Sequence, residues 1–316
     1  MGIKAYINFI ELPTKIASVI PYILGIVYTI YKYDTINLKN VIIMFISMIT
    51  FDMATTGINN YFDYKDELKY LKGEYKGKNP MFEYNISQKT ASITVITLLV
   101  ISIISGILLA IRTNLLLLII GVMCFFIGIF YTFGPIPISR MPLGEVFSGF
   151  FMGLLIPFLT IYASIYDKGY FGIYLNKEML FVELNLIHLI SISIMTIPII
   201  GGISNIMLAN NICDLEEDIK INRFTLPYYI GKSNAIKLFK YIYYVGYIST
   251  ILSVILGTLP KTSLLHMLSI IIVKKNLKIF ENKQIKSKTF VVAVKNFTIL
   301  GISYISTLAL GLVFTI

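Results

Sequence analysis

The chain is poor in charge. Only 14% of its 316 residues are Asp, Glu, Lys or Arg, whereas a soluble domain carries about 25%. A water-facing surface cannot be covered at that density, which excludes a single soluble globule. Cysteine and histidine are scarcer, with two of each. Cys124 and Cys213 are not arranged as a metal knuckle or a redox pair. His188 and His266 each stand alone in an apolar run, where a histidine packs between helices more often than it binds a metal. No segment interleaves basic and aromatic residues as a nucleic-acid module does, so nucleic acid is not expected as a partner. A cleavable leader is not expected either. One lysine precedes the first apolar run, and Pro13 and Pro21 interrupt that run without a small-residue cleavage site.

What fills the space is apolar: 56% hydrophobic residues and a mean hydropathy of +0.78. Runs of about 20 apolar residues cross a bilayer as helices, because lipid offers backbone polar groups no other partner. Nine such runs are predicted, near 9–31, 40–62, 91–111, 114–133, 143–166, 187–211, 234–258, 262–280 and 290–314. The eighth is the weakest, since Lys274, Lys275 and Lys278 enter its last turns. The runs are continuous rather than alternating, which argues against a β-barrel. The fold class expected is therefore an all-α integral membrane protein forming one domain.

Lysine and arginine set the expected orientation. With the N-terminus inside, seventeen basic residues fall on the cytoplasmic side and six on the other. That split places the protein in the cell membrane with its N-terminus cytoplasmic. The formal net charge of +10 then reflects topology and contact with anionic membrane lipids.

Acid is short, at 17 residues against 27 bases, and unevenly spread. Seven of the 17 lie in two runs: Asp63, Asp66 and Glu67, then Asp214, Glu216, Glu217 and Asp218. Asn59, Asp63 and Glu67 are spaced by four, so they project from one helix face. Asn210, Asp214 and Asp218 repeat that spacing 151 residues later, again directly after an apolar run. The chain reads as a diverged duplication with pseudo-repeat halves of about 1–166 and 187–316.

Carboxylate and amide oxygens on one helix face suit Mg²⁺, which one or two carboxylates hold together with substrate phosphates. Bases follow each run: Lys65, Lys69 and Lys72 after the first, Lys220 and Arg223 after the second. They are candidate diphosphate contacts, Arg223 as a bidentate partner. Asp52 lies seven residues before Asn59 and on the same helix face. A carboxylate that deep in a span either lines a substrate pocket or hydrogen-bonds to a neighbouring helix.

These residues resemble the UbiA-type intramembrane prenyltransferases, most closely the menaquinone-pathway branch that prenylates 1,4-dihydroxy-2-naphthoate. Asn59 to Glu67 resembles that family's first Asp-rich motif. Asn210-Asn211-x2-Asp214-x3-Asp218, with Thr225-Leu226 and Gly231 trailing, resembles the second. Tyr131-Thr132-Phe133-Gly134-Pro135-Ile136-Pro137 and then Leu143-Gly144-Glu145 resemble a loop of the menaquinone branch. The resemblance implies about nine helices around a central cavity. It implies Mg²⁺ held by Asn59, Asp63, Glu67, Asn210, Asp214 and Asp218, with Asp63, Asp214, Asp218 and Tyr131 catalytic. The substrates implied are a polyprenyl diphosphate donor and an aromatic acceptor; Asn59, Asn210 and the nearby bases Lys65, Lys220 and Arg223 are the candidate contacts, and Asp52, which the family pattern does not explain, is read as lining the acceptor pocket.

The chain departs from the family at Glu11-Leu12-Pro13-Thr14, where relatives begin Arg-Pro-x-Thr, so a basic phosphate contact moves to Lys15 or is lost. Cys213 and Asn222 stand where Arg and Gly are common. Other acceptors (4-hydroxybenzoate, haem, glycerol phosphate) are the alternatives within the superfamily. A cation-coupled transporter built on inverted repeats is the alternative outside it.

Overall fold

The computed structural model of the chain describes residues 1–70, 79–132, 138, 141–176, 178–220 and 223–315, except the side chains of residues 66, 69, 70, 132, 176 and 315. It is helical almost throughout. Helix α1 (Ile3–Phe9) leads through a 3₁₀ turn, Leu12–Lys15, into α2 (Ile16–Tyr33). Then follow α3 (Leu38–Tyr70), α4 (Pro80–Glu83), α5 (Gln88–Arg112) and α6 (Leu115–Thr132). Helix α7 (Gly144–Ser148) widens into a π segment, Gly149–Leu155, before α8 (Ile156–Ile165). Pro157 lacks the N–H that would bond to the carbonyl four residues earlier, and the backbone widens where that bond is missing.

A hairpin, β1 (Phe171–Asn176) and β2 (Met179–Leu184), pairs antiparallel with Phe171 opposite Leu184. Beyond it lie α9 (Leu186–Lys220), α10 (Leu226–Ile230), α11 (Lys232–Ile255), a 3₁₀ stretch Lys261–Ser269, α12 (Ile270–Asn282) and α13 (Val291–Thr315).

Seven of these helical stretches are long and apolar enough to cross a membrane: Leu12–Tyr33, Leu38–Lys65, Gln88–Arg112, Gly144–Ile165, Leu186–Lys220, Lys232–Ile255 and Val291–Phe314. Each coincides with a predicted run. The fourth predicted run is a shorter apolar helix, Leu115–Tyr131. The eighth is split between the 3₁₀ stretch and α12, so the count of nine full-length spans is not reproduced among the described residues. The 3₁₀ stretch has a physical reason. A three-residue repeat superposes Ser263, His266 and Ser269 on one face, and all three are buried. His266 shares a hydrogen bond with Ser303 Oγ at 2.8 Å and stacks on Tyr247, a packing role. His188 likewise pairs with the Tyr33 hydroxyl at 3.0 Å.

The chain forms two compact units. The first comprises Met1–Val19 and Ile42–Pro137. Its core gathers Phe9, Ile10, Ala54, Met81, Ile86, Ala91, Val95 and Leu98. Ser47 and Ser102 exchange hydrogen bonds between α3 and α5, each hydroxyl donating to the other's carbonyl. The opposite face of α5 exposes Ile93, Ile96, Ile104 and Ile111, as lipid-facing residues require.

The second unit comprises Ile20–Val41 and Ile138–Ile316, with α9 packed against α7, the π segment, α11 and α13. Small residues permit this closeness, as in membrane helix packing. At Gly202 an added Cβ would lie 2.7 Å from the Phe297 ring, and at Gly153 2.6 Å from Ile200 Cα on the α9 backbone. Gly153→Ala is therefore expected to force α9 outward and cost about 1–3 kcal/mol. The measurement is thermal unfolding in detergent, with Gly121→Ala, which meets nothing within 4 Å, expected to melt like the parent.

Candidate active site on two helix ends

Both acidic runs lie on helices, not in the loops beyond them. Helix α3 has 33 residues and carries the first series through to Tyr70. Helix α9 has 35 and carries the second through to Lys220. The four-residue spacing is thus a real helical repeat, and Asn59, Asp63 and Glu67 rise along one face.

In the first series Asp63 is exposed, while Asn59 and Glu67 are partly covered. Asn59 Oδ1 and Glu67 Oε2 are buried without a hydrogen-bond partner. Burial, and secondarily the Asp63 charge one turn away, raise the Glu67 carboxyl above its ordinary range. A cation shared by the two would reverse that shift. The neighbouring Asn60 is buried and does something else. Its side-chain amide donates to Phe9 O at 2.9 Å, and its backbone carbonyl accepts from Asn79 Nδ2 at 2.8 Å, so it ties α3 to the chain around it. Lys65 lies with its ammonium 4.6 Å from the Tyr61 ring centroid. The side chains of Asp66 and Lys69, and Lys72 altogether, lie outside the described residues.

The second series follows the same division of labour. Asp218 is buried; its Oδ1 stands 3.6 Å from Arg223 Nη1 and its Oδ2 has no partner. Asn211, the second of its Asn pair, is the anchor: its amide donates at 2.8 Å to Glu145 Oε1, and Glu145 is itself buried on α7. In each Asn-Asn pair the second residue fastens the helix and the first stands in the acidic series. Lys220 is exposed on the last turn of α9. The base that reaches Asn210 and Asp214 is a different one, Lys286, whose ammonium donates to Asn210 Oδ1 and Asp214 Oδ2. By sequence alone Lys286 is one of the lysines that orient the chain.

Tyr131 ends α6 half-buried. The following Phe133–Pro137 segment of the motif, and Asn222 beyond α9, lie outside the described residues.

Asp52 has partners the sequence did not indicate. Its Oδ1 accepts from Lys15 Nζ at 2.7 Å and its Oδ2 from Ser18 Oγ. Lys15 also donates to Thr56 Oγ1 at 2.6 Å and to Asp52 O at 3.1 Å. Lys15 is only 4% exposed and committed to this cluster. In this structure it acts as an internal clamp. Glu11 takes a left-handed backbone (φ 49°) and its Oε1 receives Asn60 Nδ2 at 3.4 Å.

Among the described residues no three His, Cys, Asp or Glu side chains converge as a metal cluster. The residues present nonetheless fit Mg²⁺, which takes few carboxylates and completes its shell with water and phosphate oxygen. Within the first unit the buried, unpartnered oxygens of Asn59 and Glu67, and within the second that of Asp218, are hard donors of the kind required.

A family model described as the UbiA prenyltransferase family matches residues 18–311. The chain is 29% identical over 244 residues to a 1,4-dihydroxy-2-naphthoate octaprenyltransferase of Bacillus subtilis (strain 168), across 77% of this chain and 71% of that protein. Its fold is similar to the apo structure of a UbiA homologue from Aeropyrum pernix K1, with a TM-score of 0.66, 18% identity and coverage of 92% and 97% of the two chains. A UbiA homologue from Archaeoglobus fulgidus bound to GPP and Mg²⁺ superposes with a TM-score of 0.58 at 14% identity, over 96% and 97% of the chains.

Proposed function

The chain belongs to the UbiA prenyltransferase family, and from that premise we propose that this enzyme transfers a polyprenyl group from its diphosphate to an aromatic acceptor, 1,4-dihydroxy-2-naphthoate, in menaquinone biosynthesis. The observation that carries the reading is the paired Asn-x3-Asp-x3-acid series, each on a helix end and each with buried oxygens lacking a partner. The Bacillus subtilis relative supports the choice of acceptor.

Asp63, Glu67 and Asn59 would hold Mg²⁺ at one helix end, and Asp214, Asp218 and Asn210 would do so at the other. When bound, the ion supplies positive charge that stabilises the departing diphosphate. The residues of the chain do the rest. Asn60 and Asn211 fix the two helix ends so that the ligand oxygens are pre-positioned. Lys65, Lys220 and Arg223 contribute charge toward the diphosphate, with Arg223 held close to Asp218. As the allylic carbon loses its diphosphate and gains positive charge, the Tyr131 ring offers a π face. The apolar helices exclude the water that would otherwise capture the cation. The acceptor's ring carbon then attacks, and its aromaticity returns when that carbon sheds the group it carried, a proton or, at the carboxyl-bearing carbon, CO₂. A single domain of two pseudo-repeat halves, with N-terminus and both acidic helix ends at the cytoplasmic face of the cell membrane, completes the proposal.

The test is diphosphate release by purified protein supplied with prenyl diphosphates and 1,4-dihydroxy-2-naphthoate. Release that requires the acceptor and stops on adding EDTA is expected. Release with 4-hydroxybenzoate but not the naphthoate would overturn the acceptor, and EDTA-resistant turnover would overturn the metal.

A further inference from the structure

Lys286 lies in the short connection between α12 and α13, far in sequence from either acidic series, and its position is built. Thr289 closes the turn beneath it: Ile285 N donates to Thr289 Oγ1 at 2.7 Å, and Thr289 N donates back to Ile285 O at 2.7 Å. The Phe290 ring flanks the ammonium, 5.1 Å from nitrogen to centroid. The result is one cation aimed at two oxygens, Asn210 Oδ1 and Asp214 Oδ2, the first two members of the second series. The third member, Asp218, keeps an oxygen free of partners.

A lysine ammonium is a compact, strongly hydrated point charge, on a stem long enough to move by several ångström without backbone rearrangement. Lys286 is 43% exposed in its side chain against 20% for Asp214, so the ammonium can leave for solvent or for a nearby anion. The oxygens it covers are those proposed above for Mg²⁺, and one set of oxygens cannot serve both cations.

We propose that Lys286 is a tethered stand-in cation: it holds Asn210 and Asp214 together while the site is empty, and passes to the donor's diphosphate when Mg²⁺ takes those oxygens. The ammonium keeps the second helix end from self-repulsion between turnovers, and makes metal loading depend on a diphosphate arriving with it. This rests on the metal reading given above.

The test is Mn²⁺ binding, followed by the paramagnetic signal of the free ion, with protein in lipid nanodiscs and no donor present. Lys286→Met is expected to bind Mn²⁺ roughly three- to tenfold more tightly than the parent, because its competitor is gone. Lys286→Arg, which keeps the charge, and Lys288→Met, which alters an exposed neighbour, are expected to match the parent. Lys286→Met is also expected to bind prenyl diphosphate several-fold more weakly in the presence of Mg²⁺. A lysine that merely stabilised the helix end would give weaker Mn²⁺ binding when removed. Unchanged or weakened Mn²⁺ affinity in Lys286→Met overturns the proposal. A parent protein that binds no Mn²⁺ even with a prenyl diphosphate present would instead overturn the metal reading itself, and this proposal with it.

Discussion

Asp214→Ala and Asp63→Ala are each expected to lower prenyl transfer by about a thousandfold or more while the protein inserts and melts like the parent. The size follows from the job assigned to the two carboxylates: stabilising a multiply charged leaving group is usually the largest single contribution to such a reaction. The harmless effect on folding follows from their surroundings. Asp63 is exposed on α3, and alanine there is a better helix former than aspartate. Asp214 is ion-paired to Lys286, but that lysine is substantially exposed, so removing its partner strands no buried charge. Asp218 differs. It is buried beside Arg223, and its substitution would mix lost stability with lost activity. The measurement is transfer of a labelled prenyl chain in membranes, with thermal unfolding run in parallel. Near-parental transfer by either variant would remove that carboxylate from the metal site.

The largest expected loss of stability lies elsewhere, at Lys15. Lys15→Met should cost about 3–5 kcal/mol, because it leaves the Asp52 carboxylate without its counter-charge inside the helices. The side chain of Lys15 is 5% exposed and that of Asp52 18%, so water compensates little. A double variant, Lys15→Met with Asp52→Leu, should recover most of the loss, since an apolar pair of similar volume avoids desolvating two charges. Thermal unfolding in detergent separates the outcomes, and a Lys15→Met protein that melts with the parent would refute the clamp. The same pair bears on Asp52 as an acceptor-pocket residue. Each of its oxygens already accepts one hydrogen bond, from Lys15 and from Ser18, so any substrate contact would share a carboxylate held by those two residues.

Local pattern was legible in the sequence, and long-range pairing was not. Apolar run length found the spanning helices, because a bilayer imposes that length on any chain. The Asn59 and Asn210 series were legible because a four-residue repeat is a property of one helix. The hairpin Phe171–Leu184 was not legible, since short apolar stretches in a linker between spans carry no signal of bilayer-crossing length. What remained hidden was whatever needs closure between distant segments. Lys286 meets Asp214 across 72 residues, Asn211 meets Glu145 across 66, and Lys15 meets Asp52 across 37. Each lysine alone is indistinguishable from those that set topology. The doubled asparagines were the available clue: two adjacent amides on a helix point to different sides, so one of each pair had to face the protein.

The two helices that carry the acids are also the longest among the described residues, 33 and 35 residues. At 1.5 Å per residue each runs about 50 Å, against a hydrocarbon layer of about 30 Å. Most of the excess is the acid-bearing end itself, because the largely apolar stretches before Asn59 and Asn210, residues 38–58 and 186–209, already run about 30–36 Å. Ligand spacing along each rod is fixed by the helical repeat and is indifferent to the membrane around it. Catalysis should accordingly tolerate lipids of different chain length better than an active site suspended on loops would.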